Sequence, residues 1–458
     1  MTRPENDLFG LSGSDKQRLI DRMRNRVEAG MTSLRSGAGK IAPSAGDVPP
    51  EFWKIEDLPG HKQLQVQATA AERFNIANPF FRLHEGVAGS TTRINGHEYI
   101  NFSSYNYIGM CGHPRVNRAA QDAIDRFGTS ASASRPVSGE RPIHRDLERK
   151  LAECHDAEDC VVFVSGHATN VTTIGCLFGR NDLILHDSLA HNSIIQGAIL
   201  SGAKRLSFPH NDWQAADRML ADSRSRFERV LIVTEGLYSM DGDIADIPRF
   251  IDLKLRHKAF LLVDEAHSLG VLGARGLGVV DHFGLSGSDI DFQMGTLSKA
   301  LAGCGGYIAG RRSLVENLKY TAPGFVYSVG MSPPVAAAAL EALNILTQEP
   351  ERAARLRELG MLFNTLAREA GLDTGSCQGF SIVPIIVGSS VVSAKLSNRL
   401  FERGINVQPI IYPAVEERSA RLRFFLNCTH TEEQIRETVA TVKEELVTLK
   451  RNPVYRMV

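Results

Sequence analysis

The chain has 458 residues, its acidic and basic residues balance at 52 each, and its formal net charge is zero. That length can bury a sizeable core with room for more than one domain. The balance argues against a nucleic-acid or anionic-membrane protein, which would need a cationic face. The seven cysteines (Cys111, Cys154, Cys160, Cys176, Cys304, Cys377, Cys428) are scattered without a C-x-x-C pair. They read as reduced thiols in a cytoplasmic protein, not as a disulfide frame or a metal site. No signal-peptide h-region or bilayer-length apolar run is visible.

Residues 1–60 read as an N-terminal arm and linker. Leu19, Ile20, Met23, Val27, Met31 and Leu34 fall at helical spacing within Ser14–Ser36, and GAGKIAPSAGDVPP follows. The arm fits packing on a partner subunit, or a docking helix for a carrier protein or membrane surface; periodicity does not choose. Residues 61–345 form an N-terminal segment and a large domain. Short apolar runs (160–166, 182–187, 229–236, 259–267, 291–299) alternate there with amphipathic stretches such as Asn211–Glu228 and Asp246–His257. This predicts an α/β fold with a mostly parallel, helix-covered sheet. Ligands of such sheets bind beyond the strand carboxyl ends, where Ser165, Asp187, Glu235, Asp264, His267 and Lys299 all fall. After the Ser332–Pro334 turn a helix leads into residues 346–458, a smaller C-terminal α+β domain.

Lys299 follows an apolar run and is flanked by Gly295, Thr296, Ser298 and GCGG. Alone it would read as a solvated strand-end lysine, Asp264 as a helix N-cap and His267 as a structural histidine. Together they are the parts needed to hold pyridoxal phosphate (PLP). The lysine takes the aldehyde, the carboxylate keeps the pyridine nitrogen protonated, and the histidine reaches the phenolic oxygen. Thr296, Gly166 and His167 offer a hydroxyl and helix-start N–H groups to the phosphate. His191 reads as a ring that stacks on the cofactor or as a surface histidine. Ser239 reads as a ring neighbour or an ordinary turn serine. Arg423 alternates with apolar residues; it suits either a salt bridge or a bidentate clamp on a substrate carboxylate.

GTLSKALAG, DEAHSLGVLGARGLG, EGLYSMDGD, HDSLAHNSII, SGHATN and ARLRFFLN resemble the motifs of the α-oxoamine synthases, PLP enzymes of fold-type I, over roughly residues 95 to 450. The resemblance implies a decarboxylative Claisen condensation of an amino acid with an acyl thioester to an α-amino ketone, Lys299 removing the α-proton. It implies His191 against the ring, Asp264 at the pyridine nitrogen, His267 at the phenolic oxygen, Thr296 at the phosphate and Arg423 on the substrate carboxylate. It further implies a homodimer with shared active sites, where Ser328 faces the partner's phosphate. SYNYIGM (Ser104–Met110) looks more like serine palmitoyltransferases and places Asn106 at the substrate, so serine, a long acyl chain and sphingolipid synthesis are the first expectation. Gly128–Glu148 departs from the bacterial serine palmitoyltransferase form. That leaves alanine or glycine, and coenzyme A or a carrier protein as donor, as the alternative. A PLP lyase or aminotransferase would share Lys299 and Asp264 and need no thioester.

Overall fold

The computed structural model describes residues 48–452. The helical stretch Ser14–Ser36 and most of the linker lie outside the described residues. The chain divides into two compact units, Met1–Asn78 with Leu446–Val458, and Pro79–Glu445. The described part of the first unit includes the helix Pro59–Arg73, which starts with proline at its first turn and buries none of its residues.

The second unit holds thirteen strands among its described residues. They are β1 (Thr91–Ile94), β2 (His97–Asn101), β3 (Asp159–Phe163), β4 (Leu183–Asp187), β5 (Lys204–Phe208), β6 (Val230–Glu235) and β7 (Phe260–Asp264). β8 (Phe292–Thr296), β9 (Gly306–Gly310), β10 (Ile382–Ile386), β11 (Ile405–Asn406), β12 (Gln408–Ile410) and β13 (Arg421–Phe425) follow. Seven form one sheet in the order β3-β9-β8-β7-β6-β4-β5. β4 to β8 run parallel; β9 runs antiparallel to both β8 and β3. The sheet is therefore mostly parallel, as the alternation of apolar runs predicts.

The reason is visible in β6, whose six residues VLIVTE are all buried. A strand covered on both faces carries no polar–apolar alternation. On one face Val161, Phe163, Leu231, Val233, Leu262 and Met294 join Ile174, Ile194 and Phe325 in one core. Helices start where capping residues stand. Ser165 accepts from the N–H of Ala168 to open Gly166–Leu177, and Asp246 accepts from that of Arg249 to open Ile247–His257. Lys254, Arg256 and His257 in the last turn of the second helix suit its negative end.

The compact units do not part at residue 345. The segment after 346 supplies β11, which pairs with β2 (Ile405 opposite Ile100), and Phe424, whose ring meets that of Phe102 edge-on at 5.3 Å. Arg357 also donates to the Val271 carbonyl at 2.8 Å. The antiparallel sheet β10-β13-β12 carries Arg423 on its central strand, opposite Pro384 and Gln408.

Candidate active site

β4, β6, β7 and β8 lie side by side and end at Asp187, Glu235, Asp264 and Thr296. Beyond these ends lies a cleft with about 390 Å³ of empty space, its mouth included. Its lining brings together Gly166, His167, His191, Glu235, Asp264, His267, Thr296 and Lys299, eight residues singled out from sequence.

Asp264 is fixed from two sides. The Asn170 amide donates to Oδ2 at 2.8 Å and the Ala266 N–H to Oδ1 at 3.0 Å. Asn170 sits one helical turn after Gly166, so the helix that opens toward the cleft also orients the carboxylate. The same amide donates to Ser193 Oγ at 3.0 Å, and Ser193 Oγ lies 2.7 Å from His191 Nδ1. One network thus joins Asp264 to the histidine at the rim.

Lys299 is held off its ordinary value, its amine lowered to about 8. Burial is the main cause; Asp264 and Glu235 oppose it and Arg423 adds to it. Its Nζ stands 5.8 Å from the centre of the Tyr105 ring. An amine with that value sheds its proton far more readily near neutral pH than an ordinary lysine, as a nucleophile or base must. Burial, with Lys299 and Arg423 adding, holds His267 well below the usual histidine range, so it is neutral at pH 7. Its Nδ1 lies 2.7 Å from the buried Tyr107 hydroxyl. With that hydroxyl donating, the ring proton stands on Nε2, leaving a donor for an anionic phenolic oxygen. Burial and the neighbouring Asp264 push the Glu235 carboxyl well above the usual carboxylate range, while it accepts the His191 N–H at 2.7 Å.

The donor set fits PLP. Among the described residues the N–H groups of Gly166 and His167, first in their helix, meet no acceptor. Helix-start donors of this kind suit a phosphate. Thr296 Oγ1 accepts from the Ser298 N–H at 3.2 Å and donates to the Gly305 carbonyl at 2.9 Å, so it would turn its proton to meet a phosphate oxygen. Gly166 is required here, because a Cβ would stand 2.8 Å from Thr296 Oγ1. Asn170 Oδ1 and Arg423 Nε are buried polar atoms without partners, which a bound molecule could satisfy.

Arg423 lies outside the lining yet acts electrostatically on Lys299, His191 and His267. Its Nη1 donates to the Ser239 carbonyl at 3.1 Å, and its guanidinium stands 4.6 Å from the Phe425 ring centre. Two expectations change. Ser239 is not part of the lining; its carbonyl holds Arg423 instead. Asn106 spends its side chain on the backbone, accepting from the Cys111 N–H at 2.9 Å and donating toward Ala88 and Cys111 carbonyls at 3.4 Å. Its role is to shape the loop, and the aromatic neighbours Tyr105 and Tyr107 face the site instead. Sequence reasoning gave no role to Asn170, Ser193, Tyr105 or Tyr107, and placed Glu235 at a strand end beside the ligand without naming its role. The signal for Asn170 was its i+4 spacing from Gly166; the tyrosines stand in the SYNYIGM segment, which drew attention to Asn106 between them.

Residues 97–442 match the family model described as aminotransferase class I and II. The 8-amino-7-oxononanoate synthase of Symbiobacterium thermophilum is 43% identical over 386 residues, covering 84% of this chain and 95% of that protein. The enzyme of the same name from Geobacter sulfurreducens is 42% identical over 360 residues, covering 78% and 91%. Among solved structures, Sphingomonas wittichii serine palmitoyltransferase superposes with a TM-score of 0.82 at 28% identity, covering 86% of this chain and 99% of that one. The Francisella tularensis 8-amino-7-oxononanoate synthase gives 0.66 at 26%, covering 76% and 98%. A helix-covered, mostly parallel sheet, a cleft suited to PLP and likeness to both kinds of synthase agree: the chain belongs to the aminotransferase class I and II family and, within it, to the PLP-dependent α-oxoamine synthases.

Proposed function

We propose that this enzyme condenses a small amino acid, alanine before serine, with an acyl thioester to give an α-amino ketone and carbon dioxide. One observation carries the choice: relatives at 42–43% identity across more than nine-tenths of their length are 8-amino-7-oxononanoate synthases. The serine and sphingolipid expectation rested on SYNYIGM, whose Asn106 is occupied with the loop.

Bound PLP supplies an electron sink for the carbanion at the amino acid's α-carbon. Arg423 takes the amino-acid carboxylate with Nη1 held by Ser239 and Nε free to donate. Lys299 Nζ, as the free amine, would take the α-proton. Asp264 holds the charge that draws electrons toward the ring nitrogen, and Asn170 keeps that carboxylate in place. The neutral His267 donates from Nε2 without adding a second positive charge beside Lys299. A carbon–carbon bond then forms to the thioester carbonyl, the thiolate leaves, the bond to the carboxylate breaks as carbon dioxide departs, and the proton held on Lys299 returns to the α-carbon to complete the α-amino ketone.

We place the enzyme as a homodimer. Phe81, Val137, Tyr320 and Tyr327 are each at least 80% exposed in the single chain and are available to a partner subunit. The reaction is tested by titrating holoenzyme with alanine, serine and glycine, then adding acyl-CoA or acyl carrier protein while carbon dioxide and free thiol are followed. Alanine should exceed serine at least about tenfold in kcat/KM. Serine preference would restore the serine palmitoyltransferase reading, and turnover without a thioester would indicate a lyase or aminotransferase.

A further inference from the structure

Beside the cleft, and outside its lining, an ionic cluster of two buried carboxylates and a half-buried histidine is left unused by this mechanism. His210 follows β5, and both of its ring nitrogens face carboxylates. Nδ1 lies 3.0 and 3.2 Å from the two oxygens of Asp187, and Nε2 lies 3.0 Å from Asp243 Oδ2. The Tyr238 ring stands edge-on to the imidazole at 4.5 Å. Asn211 joins both ends, its N–H donating to Asp187 at 2.8 Å and its amide to Asp243 at 3.0 Å. Each imidazole nitrogen can satisfy a carboxylate only by donating, so the geometry requires both ring protons and a cation.

The two carboxylates belong to the two loops that shape the site. Asp187 ends β4 and accepts from the Leu189 N–H at 2.7 Å, at the start of the turn that delivers His191. Asp243 closes the loop after β6, where its carbonyl accepts the Tyr238 N–H at 2.9 Å. Between Tyr238 and Asp243 lie the carbonyls of Ser239 and Met240, which receive Arg423 at 3.1 Å and Arg421 at 2.9 Å.

We propose that His210 is a positioning residue for the amino-acid substrate: an imidazolium strut between Asp187 and Asp243 that fixes the 239–243 loop, and through the Ser239 carbonyl sets the Arg423 guanidinium for the substrate carboxylate. The inference rests on Arg423 binding that carboxylate. Burial works against the charge on His210, but the bonds to Asp187 and Asp243 outweigh it and raise the group to about 10, so the strut stands throughout the neutral range.

The test uses PLP-loaded holoenzyme and the variants His210→Gln and Asp243→Asn, alone and in an Arg423→Ala background. The readouts are amino-acid Kd from the cofactor spectrum, KM for each substrate, kcat and bound PLP. Each single variant should weaken amino-acid binding about tenfold, with thioester KM unchanged and kcat changed much less. With Arg423 already removed, the same substitutions should cost almost nothing further, because residues acting through one another are not additive. Full additivity, or lost PLP and activity at constant Kd, would overturn the proposal and leave His210 a structural residue. Should the variants not fold, nitrogen-15 histidine spectra of the wild-type holoenzyme decide: both His210 nitrogens protonated at pH 8 support the strut, and one neutral tautomer sinks it. An Arg423→Ala protein that binds amino acid normally would instead refute the carboxylate clamp, while the spectra still report on the strut.

Discussion

In the proposed reaction Lys299 and Asp264 carry the chemistry, and each can be tested by a single substitution. Lys299→Ala should remove the absorbance of lysine-bound cofactor and abolish turnover; retained turnover would refute the assignment. For Lys299 the linkage sign is unusual. Its folded value is about 8 against 10.5 for the free side chain, so between these pH values the unfolded chain holds more protons and stability rises with pH. Below 8 both states are protonated and the buried ammonium is a standing cost. In the cofactor-free protein Lys299→Met should therefore raise Tm at pH 7 and remove the rise between pH 8 and 10.5, as calorimetry would show. Asp264→Asn keeps the shape and loses the charge, and should lower kcat about a hundredfold or more with PLP still bound. Asn170→Leu leaves the charge but frees the carboxylate, and a loss of about tenfold is expected.

Among the elements, the helix opening at Gly166 and the loop closing at Gly242 are both limited by a missing side chain. Gly166→Ala places a methyl 2.8 Å from Thr296 Oγ1, so PLP should bind about tenfold more weakly, by roughly 1–3 kcal/mol of overpacking; unchanged affinity would exclude this helix start from the phosphate site. Gly242 has a φ of +69° and a Cβ would stand 2.3 Å from the Ile382 carbonyl, a backbone atom that cannot turn aside. Gly242→Ala should move the loop that holds Arg423, raising the amino-acid KM and costing on the order of 2 kcal/mol. The elements differ in how far the sequence shows them. β6 and β7 are legible because runs of apolar residues buried on both faces have few other places to go. β5 and β9 were missed. KRLSF is half exposed and GYIAG is bounded by glycines, and neither carries the continuous apolar run of a central strand.

For the molecule as a whole, pH acts on two cations, Lys299 and the half-buried His210, in opposite senses. His210 is raised to about 10 from 6.5; its contribution is complete below 6.5 and is lost as pH rises through 10. His210→Gln should flatten the alkaline fall in Tm, and an unchanged slope would show that the imidazolium contributes no stability. Sedimentation of the full chain should give a dimer, with Tyr327→Asp and Phe81→Glu shifting it toward monomer; a monomeric wild type would overturn the shared-site arrangement.

The sequence by itself determined the α/β class, the strand-end placement of Asp264, His267 and Lys299, and the cofactor these residues suit, because strand period and local motif are short-range properties. It did not determine who holds whom. Asn170 on Asp264, Tyr107 on His267, Ser239 on Arg423 and His210 between Asp187 and Asp243 are contacts over separations of 94, 160, 184, 23 and 33 residues. Only the tertiary structure decided these, since burial and the need of each buried polar group for a partner act after distant segments have packed, and no local spacing records which partner is met.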